Sequence, residues 1–180
     1  VDFRQVIDLL ESKAGGKLEL QDLPYSKNAL SPVLSSRNID NHYDKLARGY
    51  VDRYNQKEGD ATFNEAGAFL HNLWFEQFTT PKTTNKPSGA VAALINKKFG
   101  SFGAFKEAFS KAAMSIQGSG WVYLSKSGEI KTIKNHVKRT DIKLLIDWWE
   151  HAWYMDYGTD KKKYLNNIWR IIDWNVINSR

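Results

Sequence analysis

Apolar residues recur at helical spacing through the first half of the chain and at strand spacing in part of the second. Between 36 and 56, Ile39, Tyr43, Leu46 and Tyr50 fall on one face of a helix, with His42 beside it. Between 61 and 78, Phe63, Ala66, Leu70, Leu73 and Trp74 make a second stripe, bordered by His71. Two helices with so short a connection predict an antiparallel hairpin, which can point His42 and His71 at each other. Ahead of it, a short amphipathic helix is expected at 4–13, ending at Gly15-Gly16, and "LPYSKNALSP" (23–32) reads as an irregular lead-in.

The pattern breaks at "TTPKTTNKPSGA" (79–90), rich in Thr, Pro and Lys, which places a lobe boundary there. Helices are expected at 88–98 and 101–115, the second capped by Ser101 and ended by "QGSG" (117–120). "WVYLS" (121–125), "EIKTIK" (129–134) and "IKLLID" (142–147) read as strands, the first two joined by a Lys-Ser-Gly turn. A last helix, 161–178, carries Leu165, Ile168, Trp169, Ile172 and Val176. The predicted class is α+β. An N-terminal extension (1–22) precedes an antiparallel α-hairpin lobe (23–80) and a C-terminal lobe (88–180) with a small three-stranded antiparallel sheet.

Composition narrows the chemistry. There is no cysteine, so disulfides, iron–sulfur clusters and thiolate zinc sites are excluded, and any metal must be held by His, Asp or Glu. That fits an intracellular, reducing compartment such as cytoplasm or mitochondrial matrix. No apolar run approaches the ~18 residues of a membrane span, and residues 1–16 do not read as a signal peptide. The net charge of +6 is spread along the chain, with one run at Lys161–Lys163 and no nucleic-acid motif. Neither a membrane nor a nucleic acid is an expected partner; the charge solubilises the surface or steers an anionic substrate. Nucleophile elbow, P-loop and dinucleotide fingerprints are absent.

The four histidines are His42, His71, His136 and His151. "LLIDWWEHAWY" (144–154) packs three tryptophans around Asp147, Glu150 and His151. Charged groups among buried aromatics are costly unless paired or metal-bound. If Asp147 ends a strand and His151 lies in the next turn, both can face one point. With His42 and His71 they supply three imidazoles and one carboxylate, a set for iron or manganese, with zinc also possible. A histidine beside an apolar helix face is more often a satisfied core residue than a ligand, so spacing alone leaves both readings open.

"DWWEHAWY" (147–154) resembles the D-x-W-E-H-A-x-Y signature of the iron/manganese superoxide dismutases. In order along the chain, "LPYSKNALSP", "NHYDKLARGYV" (41–51), "FNEAGAFLHNLWF" (63–75), "QGSGWVYL" (117–124) and "YLNNIWRIIDW" (164–174) are similar to other segments of that family. The resemblance implies His42, His71, Asp147 and His151 as ligands of one iron or manganese ion, and superoxide dismutation as the activity. It implies Tyr50 in the substrate gateway and Trp121, Trp149 and Phe75 as walls. It also implies a homodimer through the Glu150/His151 region, with Glu150 reaching the partner's ligand histidine.

Two departures stand out. Gly67 occupies the second-helix position where the family often carries a glutamine that bonds the metal-bound solvent. His136, in the loop "IKNHVKR" (133–139), is then the expected outer-sphere donor, which leans towards iron or towards use of either metal. Leu46-Ala47 replaces a usual His-His, so Tyr154, which the first of those histidines would bond across the dimer, needs another partner. The alternative implied by these departures is a weak or inactive relative with a structural role in a larger assembly.

Overall fold

The computed structural model describes residues 16–180, and the helix expected at 4–13 lies outside them. The hairpin's first arm, α1 (36–55), starts where the Ser35 side chain accepts from the Asn38 amide. It is not one uniform helix: a π segment, Asp40–Ala47, interrupts it before Arg48–Asn55 resumes the α register. The wider turn moves the buried face by about one residue. Ala47 is therefore fully buried and Leu46 is left half-buried, contrary to the α-helical stripe that put Leu46 inside.

The second arm, α2 (Ala61–Glu76), is capped by Asp60, whose carboxylate accepts from Phe63 N at 2.8 Å. Nearly every side chain from Asn64 to Phe75 is buried, as expected for a helix packed on all sides. Residues 18–21 lie against the hairpin: Asn55 bonds both backbone groups of Leu18, and Asn72 bonds Gln21 N and Glu19 O.

In the second lobe, α3 (Gly89–Phe99) and α4 (Phe102–Met114) precede β1 (Gly120–Ser125), β2 (Ile130–Lys134) and β3 (Ile142–Asp147). Ser101 caps α4 as expected, accepting from Ala104 N at 3.0 Å. The sheet is antiparallel in the order β2-β1-β3. β1 and β3 are buried at every position, because α4 packs on β1 and α2 on β3. The register sets Trp121 opposite Asp147. The core runs without a break from Leu30 and Val33 through α2 and the sheet to Ile177. Among the described residues no helix is long and apolar enough to cross a membrane.

The single last helix expected at 161–178 is two helices, α5 (Lys161–Ile168) and α6 (Trp174–Ser179), separated by a 3-10 turn and an extended Ile172. The linker competes for the carbonyls that would have continued the helix. Thr79 N bonds Ile171 O at 2.7 Å, Lys82 N bonds Arg170 O at 3.0 Å, and Asn85 donates to Trp169 O and Ile172 O. Asp173 then restarts the helix by accepting from Asn175 N.

Candidate metal centre

Four side chains converge from four elements. His42 comes from the π segment of α1, His71 from the middle of α2, Asp147 from the end of β3 and His151 from the 3-10 turn after it. π segments recur at functional sites because the widened turn re-aims one side chain. One ligand atom from each of the four residues lies within 4.8 Å of all the others. Asp147 Oδ2 is 3.0 Å from His42 Nε2, 3.2 Å from His151 Nε2 and 3.5 Å from His71 Nε2. Two ligands each about 2.1 Å from one ion and 90–120° apart stand about 3.0–3.6 Å from each other, the same range.

The orientation of each group is fixed from outside the cluster. His71 Nδ1–H donates to Gly67 O at 2.6 Å, so its Nε2 lone pair faces the centre. Trp149 N donates to Asp147 Oδ1 at 2.8 Å, leaving Oδ2 for the imidazoles. The Tyr164 hydroxyl donates to the Asp147 carbonyl at 2.9 Å. The segment after Asp147 is held on the start of α1, where Asp156 accepts from Ser35 and Asn38, and Asn38 donates to Ala152 O. His42 and His71 rings meet edge to face at 5.0 Å, as the hairpin predicts.

The cluster fits a cation. His42 Nε2 and His71 Nε2 are buried without a hydrogen bond; the 3.0 Å approach of His42 to Asp147 lacks hydrogen-bond geometry. Unpaired buried nitrogens are rare in folded proteins, and a metal ion satisfies both. Burial pushes the His42 and His71 imidazoles down, keeping them neutral. Burial by itself would raise the Asp147 carboxyl, but His151 and His42 together hold it well below the carboxylate range. Neutral imidazole and ionised carboxylate are the ligating forms, and a thiolate-free set of nitrogen and oxygen donors suits iron or manganese.

Aromatic rings close the surroundings. Trp121 is fully buried and meets His71 at 5.0 Å; Phe75 meets His42 at 5.0 Å. Trp149 is half-buried and stacks on His136 at 4.4 Å and on His151 at 5.6 Å. His136 is 5% exposed, so it belongs to the interior and not to a surface loop. Its Nδ1 accepts from Trp121 Nε1 at 3.0 Å, which places the remaining proton on Nε2, 2.9 Å from the Tyr50 hydroxyl. Burial lowers the His136 pKa to about 4, which keeps this tautomer neutral. Burial, then Asp147, raises the Tyr50 phenol to about 12.

Tyr50 stacks on His71 at 5.2 Å, with the Arg53 guanidinium 5.0 Å from its ring centre. The ring lies against Gly67: a Cβ there would come within 2.8 Å of it. Glu150 is exposed, and so are Tyr154 (55%) and Met155 (40%), while the His151 side chain is 17% exposed. These four residues make an outward face continuous with the cluster. The sequence reading missed Tyr164, Asn38 and Asp156; each acts across more than 15 residues of chain, and no local pattern marks it.

Comparison with known proteins gives two family matches. Residues 17–61 match the model for the iron/manganese superoxide dismutases, alpha-hairpin domain, and residues 87–180 match the C-terminal domain of the same family. The chain is 38% identical to a Bacteroides fragilis protein named superoxide dismutase [Fe], over 90% of this chain and 98% of the relative. It is 37% identical to a Porphyromonas gingivalis protein named superoxide dismutase [Mn/Fe], with the same coverage. A Saccharolobus solfataricus protein named superoxide dismutase [Fe] is 34% identical over 89% of this chain and 91% of its own.

Proposed function

The chain belongs to the iron/manganese superoxide dismutase family, and from that premise we propose how its own residues carry the reaction. It is a metal-dependent superoxide dismutase that uses one iron or manganese ion, with His42, His71, Asp147 and His151 as ligands. The observation that carries this reading is the buried cluster of four ligand atoms with two unpartnered imidazole nitrogens. A structural relative without activity would have no need to keep that arrangement.

The chemistry the ion supplies when bound is one-electron redox: one superoxide is oxidised to dioxygen, and a second is reduced and leaves as hydrogen peroxide with two protons. The protein's part is to shape the site and hold protons beside it. Trp121, Phe75 and Trp149 exclude bulk water on three sides. Tyr50 and His136 form a hydrogen-bonded pair at the approach, with the His136 proton on Nε2 and the Tyr50 proton free to donate inwards. We assign Tyr50 to the gateway and His136 to outer-sphere proton donation, the role that Gly67 cannot fill. The net charge of +6 favours encounter with a small anion.

The test is metal analysis of the purified protein, with a superoxide assay after loading with iron or manganese. Absence of both bound metal and activity would refute the reading. His136→Ala should retain the metal and lose about tenfold or more of the activity, as outer-shell partners of metal sites do. Activity unchanged with both metals would remove His136 from this role.

The outward face of Glu150, His151, Tyr154 and Met155 supports a homodimer. In it, Glu150 of each protomer bonds the partner's copy of the ligand histidine. Removing a hydrogen bond to a charged group costs about 2 kcal/mol. The symmetric dimer holds two such bonds, so Glu150→Ala should raise the dimer dissociation constant by roughly 1000-fold, measured by sedimentation; an unaltered constant would count against the cross-interface bond.

A further inference from the structure

β3 carries Asp147 yet lies at the edge of the sheet, with β1 on one side only. An edge strand leaves a row of backbone groups without strand partners, and in a buried strand each of them must be satisfied some other way. On β3 these are the outward groups of Lys143, Leu145 and Asp147, and side chains from three distant elements take both groups of Leu145 and the carbonyls of Lys143 and Asp147. Gln77, just beyond α2, accepts from Leu145 N at 3.2 Å and donates to Leu145 O. Arg180 donates to Lys143 O at 3.2 Å, and the Lys143 ammonium donates to Arg180 O at 2.9 Å. Tyr164 of α5 donates to Asp147 O at 2.9 Å. All three side chains are buried: Gln77 and Tyr164 are 0% exposed as residues, and the Arg180 side chain 1%.

The same groups reach the second helix of the hairpin. Arg180 donates to Leu73 O at 2.7 Å and to Gln77 Oε1 at 3.1 Å, and Glu76 pairs with it at 3.6 Å. Leu73 lies two residues beyond His71. The edge of β3 is thus tied to the last turns of α2, the helix that brings His71 to within 3.5 Å of the Asp147 carboxylate. A hydrophobic seam alone could slide; fixed donors and acceptors set one register between strand and helix.

We propose that Gln77, Arg180 and Tyr164 are positioning residues of the metal centre: they stand in for a missing fourth strand and hold Asp147 in register with His71. The proposal rests on the reading of the four clustered residues as a metal site. It predicts that losing a member of the clamp loosens the metal more than it loosens the fold.

The experiment compares the wild type, Gln77→Leu, Tyr164→Phe and a control, Phe109→Leu. Phe109 is buried in the core, and its ring neighbours are Phe105 and Trp169, away from the clamp. Each protein is loaded with Mn(II). Melting temperature, the rate of metal release to EDTA and the EPR spectrum of the bound ion are measured, together with exchange of the Leu145 amide. At matched loss of melting temperature, the two clamp variants should release manganese about tenfold faster than Phe109→Leu, in line with the effect of groups that orient ligands. Their Mn(II) spectra should be altered, and Leu145 should lose protection in Gln77→Leu. Tyr164→Phe deletes one hydroxyl and keeps the ring, so it reports even if Gln77→Leu fails to fold. Release rates that follow melting temperature alike in all variants, with unchanged spectra, would overturn the clamp alone. A wild type that holds no metal would overturn the site reading and the clamp with it.

Discussion

Asp147→Asn should leave a folded protein that holds little metal and has lost essentially all dismutase activity. The substitution keeps an oxygen to accept from Trp149 N, now at 2.8 Å, and keeps a carbonyl for the Tyr164 hydroxyl. What it removes is the carboxylate that sits among the three imidazoles. A trivalent or divalent ion in a buried site depends on that charge, because its own desolvation is otherwise uncompensated. Metal content after loading should fall below about a tenth of the wild-type level, and activity at least about 100-fold, beyond what outer-shell changes produce. The apo protein should melt somewhat below the wild-type apo protein, since the amide keeps the shape but loses the attraction of His151 and His42 that holds the Asp147 carboxyl ionised. Elemental analysis and circular dichroism separate the two effects. Stoichiometric iron or manganese in Asp147→Asn would contradict the ligand assignment.

Gly67→Ala should keep the metal and lose activity by about 10–100-fold. The added methyl would sit 2.8 Å from the Tyr50 ring, well inside contact distance. The ring has no free direction in which to retreat. It is stacked on His71, covered by Arg53, and bonded through its hydroxyl to His136. Overpacking of this kind costs about 1–3 kcal/mol, while replacing a helical glycine returns up to about 1 kcal/mol. Stability should therefore change modestly, and the larger effect should be displacement of the Tyr50 hydroxyl from His136 Nε2. Small misplacements of reacting groups cost rate steeply. A glutamine at 67 would meet the same ring, so Gly67→Gln should not improve the enzyme. Steady-state assay of metal-loaded Gly67→Ala is the measurement; full activity would mean that the Tyr50–His136 contact does not matter to turnover.

Much of the architecture is legible in the chain because burial imposes periodicity. The hairpin helices, the three strands and the Ser101 cap follow from spacing and capping chemistry that act over a few residues. The same local logic brings Asp147 and His151 together, four residues apart across a strand end. The resemblance carried the rest of the ligand set, since the spacing of His42 and His71 fits a satisfied core histidine equally well.

What only the tertiary structure decided lies where distant groups compete for the same backbone. The last helix looks continuous by pattern, yet the linker's donors take its carbonyls and break it at Ile172. The π segment in α1 moves burial from Leu46 to Ala47, a choice no α-periodic reading can make. His136 sits in a polar stretch that reads as surface, but Trp121 and Tyr50 bind both its nitrogens inside. Local sequence determined which face of each element is apolar. The register between elements, and so the 3.0–3.5 Å spacing of the centre, depended on hydrogen bonds between residues up to 121 apart. Those bonds exist only once the core has closed.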